Sequence, residues 1–190
     1  MTGDSALEAY RGRRVAVMGA TGFIGRWVAE ALSRHGARPA MLVRDVARAE
    51  QLRNELGIAC DVVAFDVTQR DSVADAIAAI RPSIVFNLAG YGVEAGEREE
   101  AEYFRVNAEY VRELCAVLER VADASWPGRT LVHAGSQLEY GPVGGSQRED
   151  SVSAPVTVYG RSKLEGTRAV AEAGQRGLHC VTARVFNVYG

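Results

Sequence analysis

Tyr159 and Lys163 stand four residues apart in the segment Tyr159-Gly-Arg-Ser-Lys163, a spacing that places two side chains on one face of a helix. A phenol has a pKa of about 10, and a neighbouring ammonium favours its ionised form. Such a pair can donate a proton to a carbonyl that is being reduced, or remove one from an alcohol that is being oxidised. Ser136, near the end of a predicted strand, could hydrogen-bond to the same oxygen. A Tyr and a Lys at this spacing also occur by chance on surface helices, so the assignment depends on their surroundings.

A glycine-rich segment, Gly19-Ala-Thr-Gly-Phe-Ile-Gly25, lies between a predicted strand at 15–18 and a predicted helix that begins near Ile24. Glycines let the backbone turn sharply and approach a pyrophosphate, whose charge then meets the unpaired N–H groups at the helix N-terminus. Between a strand and a helix, this spacing predicts dinucleotide binding.

Arg44 follows the second predicted strand, about twenty residues after the glycine loop, where NAD-binding folds commonly carry an acid for the ribose 2′-hydroxyl. A guanidinium there can pair with a 2′-phosphate, so NADP(H) is favoured over NAD(H). Asp45 comes next and could take the ribose instead, and Arg44 could be a solvated loop residue. NAD(H) therefore stays possible.

Two further strand ends are expected to lie beside the cofactor. Asp66 and Val67 follow the third strand and are placed to meet the adenine ring, although Asp66 could instead cap the helix that follows. The segment Leu88-Ala89-Gly90 ends the fourth strand.

Apolar strand runs alternate with amphipathic segments along the chain, as in a parallel sheet with crossover helices. The predicted strands are 15–18, 39–43, 61–65, 84–89, 130–134 and 179–185, and the predicted helices lie near 24–36, 47–56, 72–80, 99–121 and 157–173. The fold class is therefore α/β: a Rossmann-type doubly wound parallel sheet in three layers. We predict one domain over 1–190, with a flexible leader over 1–12.

The predicted helix at 99–121 has two apolar faces. Phe104, Val111, Leu114, Leu118 and Val121 line one face, and Tyr103, Val106, Tyr110 and Val117 line a neighbouring one. A subunit contact and a wide stripe facing the core explain this pattern equally well.

The composition excludes several classes of function. The 190 residues are 47% hydrophobic and 24% charged with a net charge of −2, which leaves no basic footprint for nucleic acid. No apolar run approaches the roughly 20 residues that span a membrane, and the polar start is unlike a secretory signal. We therefore expect a cytoplasmic location. Cys60, Cys115 and Cys180 are scattered, as are the three histidines, so we predict buried thiols and no metal site.

Together these motifs resemble the extended short-chain dehydrogenase/reductase family, the NAD-dependent epimerase/dehydratase group that acts mainly on nucleotide sugars. The resemblance covers residues 13–190. It rests on Gly19 to Gly25, Asp66-Val67, Asn87-Leu-Ala-Gly90, Val106-Asn107, Gly135-Ser-Gln-Leu-Glu-Tyr-Gly141, Tyr159 to Lys163 and Arg184-Val-Phe-Asn-Val-Tyr-Gly190.

The resemblance implies specific roles. It makes Ser136, Tyr159 and Lys163 the catalytic set, Asn107 a cofactor-proximal residue, and Ser136 and Asn187 substrate contacts. It also implies a homodimer through the helices near 99–121 and 157–173. The predicted cofactor-binding residues are Gly19, Thr21, Gly22, Phe23, Ile24, Gly25, Arg44, Asp66, Val67, Leu88, Ala89, Gly90, Asn107, Tyr159 and Lys163.

Two departures from the family pattern narrow the expected reaction. Sugar-nucleotide 4,6-dehydratases place an acidic pair directly after the catalytic Ser or Thr, whereas this chain has Gln137 and Leu138, which disfavours dehydration. The form with Glu139 before Tyr140 is similar to that of 4-keto-6-deoxy sugar reductases. The family also continues into a small C-terminal substrate domain, which is expected to be absent here, so the chain could be a cofactor-binding fragment of a longer protein.

The resulting hypothesis is an NAD(P)-dependent oxidoreductase that reduces a 4-keto sugar nucleotide. An NAD-dependent nucleotide-sugar epimerase is the nearest alternative, and a non-catalytic NAD(P)-binding module is the alternative of another class.

Overall fold

The structure is a computed structural model that describes residues 7–69, 71–92, 99–142 and 144–189. Within these residues six parallel strands form one sheet in the order β3-β2-β1-β4-β5-β6. The strands are β1 (Arg14–Met18), β2 (Arg38–Val43), β3 (Asp61–Ala64), β4 (Ile84–Asn87), β5 (Leu131–Ser136) and β6 (Cys180–Val185). The predicted doubly wound parallel sheet is confirmed.

Helices cover both faces of the sheet. They are α1 (Phe23–Arg34), α2 (Val46–Leu56), α3 (Ser72–Ile80), α4 (Glu100–Phe104), α5 (Tyr110–Val121) and α6 (Val158–Gln175). Alternate residues of β1 point to opposite faces, so Val15 and Val17 join a core cluster with α1 and α2. Ala16 and Met18 join a second cluster with α3, α5 and α6. The three-layer prediction is therefore also confirmed.

Three strands end at different residues from those predicted, and the third ends one residue early, at Ala64 instead of Phe65. The fourth ends at Asn87 instead of Ala89, because the chain leaves the sheet there to line a cavity described below. The fifth continues beyond Ala134 to Ser136, because Ser136 pairs with Val185 of β6.

The predicted continuous helix at 99–121 is wrong in its middle. A π-helical segment, Arg105–Glu109, separates α4 from α5. Such segments insert an extra residue into a helix and often occur at functional sites. Here the segment buries Val106, Asn107 and Ala108.

The two apolar faces of this helical region are explained by packing within one chain. The residues buried there are Val106, Tyr110, Val111, Leu114, Val117 and Leu118. The exposed surface of α5 instead carries the charged side chains of Arg112, Glu113, Glu119 and Arg120. Val121, predicted to be buried, is 53% exposed because it is the last residue of the helix. The pattern therefore gives no support to a subunit contact.

The last part of the predicted flexible leader packs onto the domain. Residues 1–6 lie outside the described residues, but Glu8–Tyr10 form a 3₁₀ turn. The ring of Tyr10 lies 6.3 Å from that of Phe86 and 5.8 Å from that of Trp126. Gly12 donates to the carbonyl of Gly36 at 2.8 Å.

The three cysteines are free, as predicted. Cys115 is buried, whereas Cys60 and Cys180 are only half-buried. Within the described parts of the chain, no helix combines the length and apolarity that crossing a bilayer requires.

Candidate active site

The predicted glycine loop joins β1 to α1 and brings two backbone segments into close contact. Gly19 has a φ of 73°, a conformation that side chains disfavour. A Cβ at Gly19 would lie 2.8 Å from the backbone nitrogen of Ala89, and one at Gly25 would overlap the carbonyl oxygen of Gly19. The glycines are therefore required for the loop to pass this closely over the end of β4.

Helix α1 begins directly after Gly22, and no side chain caps it. The first N–H groups of a helix lack intrahelical acceptors, and they carry a positive partial charge. Phe23, Ile24 and Gly25 are the first three residues of this helix. This end of α1 has the properties of a phosphate-binding site.

A cavity of about 460 Å³ opens in front of the loop. It lies at the carboxyl ends of β3, β2, β1 and β4. It thus includes the point between β1 and β4 where the strand order reverses, the usual ligand position in open α/β sheets. The predicted cofactor residues that line it are Gly19, Thr21, Gly22, Arg44, Val67, Leu88, Ala89 and Gly90. The glycine cradle and the uncapped helix end fit a dinucleotide.

A second arginine in this cavity was missed by the sequence analysis. Arg105, from the π-helical segment, lines the cavity with Glu102. Its Nε donates to Glu102 at 3.1 Å and its Nη1 to the carbonyl of Thr68 at 3.2 Å. No motif marks this position, because the π-helical turn that directs it is not visible in the sequence.

Asp66 caps the turn that follows β3. Its carboxylate accepts from the N–H of Thr68 at 2.9 Å and from the hydroxyl of Thr68 at 2.8 Å. Burial raises the pKa of Asp66, but these hydrogen bonds and the charges of Arg44 and Arg105 outweigh it and lower the pKa. Asp66 does not cap helix α3, which begins after Asp71.

Asp45, the alternative ribose ligand, is the N-cap of α2. Its carboxylate accepts from the N–H of Arg48 at 2.9 Å, a typical capping interaction. This bond engages the Asp45 carboxylate as a helix cap, and Asp45 and Arg44 both line the cavity.

Helix α6 carries the Tyr and Lys and packs closely on the end of β5. Thr157 caps it by accepting from the N–H of Gly160 at 3.0 Å. A Cβ at Gly160 would lie 2.5 Å from the carbonyl oxygen of Leu138. The helix therefore begins against the 3₁₀ turn Gln137–Glu139, which directly follows Ser136.

Lys163 is buried to 3% exposure, and its Nζ lies 4.0 Å from where a Cβ of Gly90 would be. Because Gly90 lines the glycine-loop cavity, the ammonium lies at the border of that cavity. Burial lowers the pKa of Lys163 to about 8, and the negative charge of Glu139 opposes this effect.

Tyr159 lies half-buried in a group of aromatic rings. Its ring is 6.5 Å from that of Tyr103 at an interplanar angle of 76°, and Tyr103 is 5.1 Å from Tyr91. Edge-to-face contacts of this kind are favourable, so they orient the phenol.

Asn107 links the π-helical segment to the backbone of Tyr91, after β4, and to Ser162 of α6. Its Oδ1 accepts from the N–H of Tyr91 at 2.9 Å, and its Nδ2 donates to the carbonyl of Tyr91 at 2.9 Å and to Ser162 at 3.0 Å. It is fully buried. It therefore holds the segment after β4 against α6, and a direct contact with a cofactor stays a prediction.

Ser136 is the last residue of β5 and is mostly buried. Its Oγ accepts from the N–H of Leu138 at 3.2 Å. The neighbouring Gln137 donates through its amide to Oδ1 of Asn187 at 3.0 Å. The predicted substrate residues Ser136 and Asn187 thus lie on adjacent chain segments, although Asn187 is exposed.

A polar pair lies buried beneath the site. The amide of Asn87 donates to Nδ1 of His133 at 3.1 Å, and Nε2 of His133 has no hydrogen-bond partner among the described residues. Burial, followed by the charge of Lys163, lowers the pKa of His133 well below its usual value. His133 is therefore neutral.

Comparison with known proteins assigns the family. The model of the NAD dependent epimerase/dehydratase family matches residues 15–190. The chain belongs to this family. A dTDP-6-deoxy-L-talose 4-dehydrogenase (NAD(P)(+)) from Kitasatospora kifunensis is 38% identical over 185 residues, which cover 93% of this chain and 53% of the relative. The printed name of this relative is that of an NAD(P)-dependent dehydrogenase.

Two other family members show the range of similarity. A dTDP-4-dehydrorhamnose reductase from Sinorhizobium fredii (strain NBRC 101917 / NGR234) is 34% identical over 128 residues, covering 66% of this chain and 41% of that protein. The structure of UDP-glucuronic acid 4-epimerase from Bacillus cereus with UDP-glucuronic acid and NAD shares the fold, with a TM-score of 0.77 and 21% identity. It covers 93% of this chain and 57% of that one. The chain thus spans about half the length of the relatives it matches.

Proposed function

We propose that the chain is the cofactor-binding and catalytic part of an NADP-preferring reductase of a dTDP-linked 4-keto sugar. The observation that carries the proposal is the position of Lys163, whose ammonium lies beside Gly90 at the border of the glycine-loop cavity. This position supports the proposal because it brings Lys163 of α6 next to the dinucleotide cradle at the carboxyl ends of the strands.

Reduction is favoured over dehydration by the residues next to Ser136. Dehydration needs an acid to protonate the leaving hydroxyl and a base to remove the neighbouring proton. Gln137 and Leu138 can do neither, and Gln137 is hydrogen-bonded to Asn187. Relatives named for 4-keto sugar reduction or the reverse oxidation support this reading.

Three residues have distinct roles in the proposed reduction of a carbonyl. Tyr159 donates a proton to the carbonyl oxygen, and Ser136 donates a hydrogen bond to the same oxygen. Because Oγ of Ser136 accepts from Leu138, its hydrogen is free to point at the substrate. The charge of Lys163 favours the phenolate that remains on Tyr159. The hydride that turns the ketone into an alcohol would come from NADPH held by the glycine loop.

The preference for NADP(H) rests on Arg44. Its guanidinium lines the cavity, and Asp45 is engaged as a helix cap. The pairing of a guanidinium with a phosphate is strong and directional. Thr21 and Gly22 of the glycine loop would hold the pyrophosphate at the start of α1.

A homodimer through α4, α5 and α6 and a cytoplasmic location complete the proposal. Both rest on the resemblance to the family. Sedimentation of the purified chain tests the first, because a monomer at micromolar concentration would contradict it.

The decisive assay follows NADPH with a dTDP-4-keto-6-deoxy sugar as substrate. We expect steady consumption of NADPH, with one alcohol formed per NADPH oxidised, and a loss of about 10²–10⁴-fold in Tyr159→Phe. Tyr10→Phe is the matched control, since Tyr10 packs on Phe86 and Trp126 and does not line the glycine-loop cavity. Interconversion of 4-epimers without net consumption would instead identify an epimerase. Cofactor binding without either reaction would identify a non-catalytic module.

A further inference from the structure

Glu139 is a fully buried carboxylate that the proposed mechanism does not use. Its Oε1 accepts from the N–H of Ser136 at 2.8 Å and from the hydroxyl of Thr167 at 3.0 Å. Its Oε2 accepts from Nε of Arg184 at 2.8 Å. A buried charge is costly unless it is paired and hydrogen-bonded. Three partners from three different elements meet that requirement here.

The carboxylate of Glu139 occupies space that a side chain on the neighbouring backbone would need. A Cβ at Gly135 would lie 2.7 Å from Oε1 of Glu139. Arg184 is itself held by the hydroxyl of Tyr140 at 2.9 Å, and its guanidinium lies 4.6 Å from the centre of that ring. The position of the charge is therefore defined by packing on both sides.

Glu139 also acts on helix α6. Thr167, which donates to it, lies four residues after Lys163 and so on the same face of the helix. The carboxylate is in this way held between the backbone of Ser136 and the part of α6 that presents Lys163.

We propose that Glu139 is a positioning residue that holds Ser136 through its backbone and stabilises the positive charge of Lys163. This inference rests on the proposed function, because that function makes Ser136 and Lys163 the residues that matter. Glu139 itself touches neither substrate nor cofactor.

The other groups around Lys163 do not supply this negative charge. His133 of β5 is neutral, and the π-helical segment contributes the amide of Asn107. Arg184 of β6 is a cation that pairs with Glu139 and supplies no negative charge. Tyr159, on the same helix, carries a negative charge only after it has given up its proton.

The sequence offers a direct readout, because Lys163 is the only lysine in the chain. Protein labelled with ¹³C-lysine gives a single side-chain signal, whose pH titration reports the pKa of Lys163 without cofactor or substrate. We expect a midpoint near 8 in the wild type and a fall of about one unit or more in Glu139→Gln. Glutamine keeps an acceptor for Ser136 and removes the charge.

Glu165→Gln is the matched control, because Glu165 lies on the same helix and pairs at the surface with Arg168. In this variant the titration midpoint of Lys163 should stay at the wild-type value. If Glu139→Gln does not fold, the double variant Glu139→Gln/Arg184→Met removes both charges together, and the midpoint should still fall. An unchanged midpoint in either folded variant overturns the proposal.

Amide hydrogen exchange tests the second half of the inference. The N–H of Ser136 should remain protected in Glu139→Gln and exchange faster in Glu139→Ala, which has no acceptor. Equal protection in both variants would show that Glu139 does not hold Ser136. Neither measurement requires turnover, so failure of the reductase proposal and failure of this inference are separate results.

Discussion

The backbone carbonyl of Asn107 occupies the space in which a side chain on Gly166 would stand. This contact joins the π-helical segment to α6, and the hydrogen bond from Asn107 to Ser162 lies close by at 3.0 Å. Because the carbonyl belongs to backbone, it cannot move aside without displacing the segment that also holds Tyr91. The geometry of the site thus depends on a glycine that performs no chemistry.

Gly166→Ala should therefore destabilise the chain. We expect a loss of roughly 1–3 kcal/mol in the free energy of unfolding, because overpacking forces backbone shifts. Gly174→Ala is the matched control on the same helix, since its Cβ would lie at an ordinary 3.4 Å from Sγ of Cys180. That change should be neutral or stabilising, because alanine favours helix. Denaturant unfolding measures both, and equal effects would contradict the close packing.

Lys163→Met should stabilise the chain, and the gain should depend on pH. The pKa of Lys163 is about 8 in the folded chain against an ordinary 10.5. Between these values the unfolded chain binds more protons than the folded chain, so the wild type gains stability as the pH rises through this window. Below pH 8 the variant should be more stable by on the order of 3 kcal/mol.

This difference should shrink toward zero by pH 10.5. Paired denaturant melts of the wild type and the variant measure it, because the contributions of titrating groups that do not interact with Lys163 cancel. A difference that does not change with pH would mean that burial does not depress the pKa of Lys163.

Asn87→Ala should leave a buried acceptor without its donor. Nδ1 of His133 accepts from Asn87, and an unsatisfied buried group costs about 1–3 kcal/mol. Asn54→Ala, on the exposed face of α2, removes the same amide from a solvated position. We expect thermal unfolding to detect a clear loss for Asn87→Ala alone, and similar melting curves for the two variants would refute the buried pairing.

Arg44→Ala should reduce the affinity for NADPH and leave that for NADH nearly unchanged. A charge-assisted contact of about 1.5–3 kcal/mol corresponds to roughly a tenfold to hundredfold loss. Arg34→Ala, an exposed arginine paired with Glu30 on α1, is the control for net charge. Fluorescence titration with each cofactor checks the outcome. Equal affinity of the wild type for NADPH and NADH would contradict the role of Arg44.

Local patterns were sufficient to predict the sheet, the glycine loop and the place of α6. Strand and helix periodicity and the Gly19 to Gly25 spacing are properties of short segments, so they can be recognised without knowing which distant residues meet. The π-helical segment was not predictable from the sequence. It is accompanied by a close approach of the Asn107 carbonyl to Gly166, and these two residues are distant in sequence.

The role of Glu139 was hidden for a similar reason. In the sequence it is one acid in a loop motif, and nothing nearby identifies Arg184 or Thr167 as its partners. The two faces of α5 were ambiguous in the same way, because periodicity indicates that a face is apolar and not what covers it. Residue pairs that meet only through the tertiary structure cannot be identified from sequence patterns alone.

The most direct test of the central claim is the transfer of deuterium from NADPH deuterated at the reactive C4 of the nicotinamide to the keto-sugar nucleotide. We expect deuterium on the carbon that becomes the alcohol in the wild type, and almost none in Tyr159→Phe under the same conditions. Product without deuterium, or equal labelling by both proteins, would contradict hydride transfer at the proposed catalytic site of Ser136, Tyr159 and Lys163.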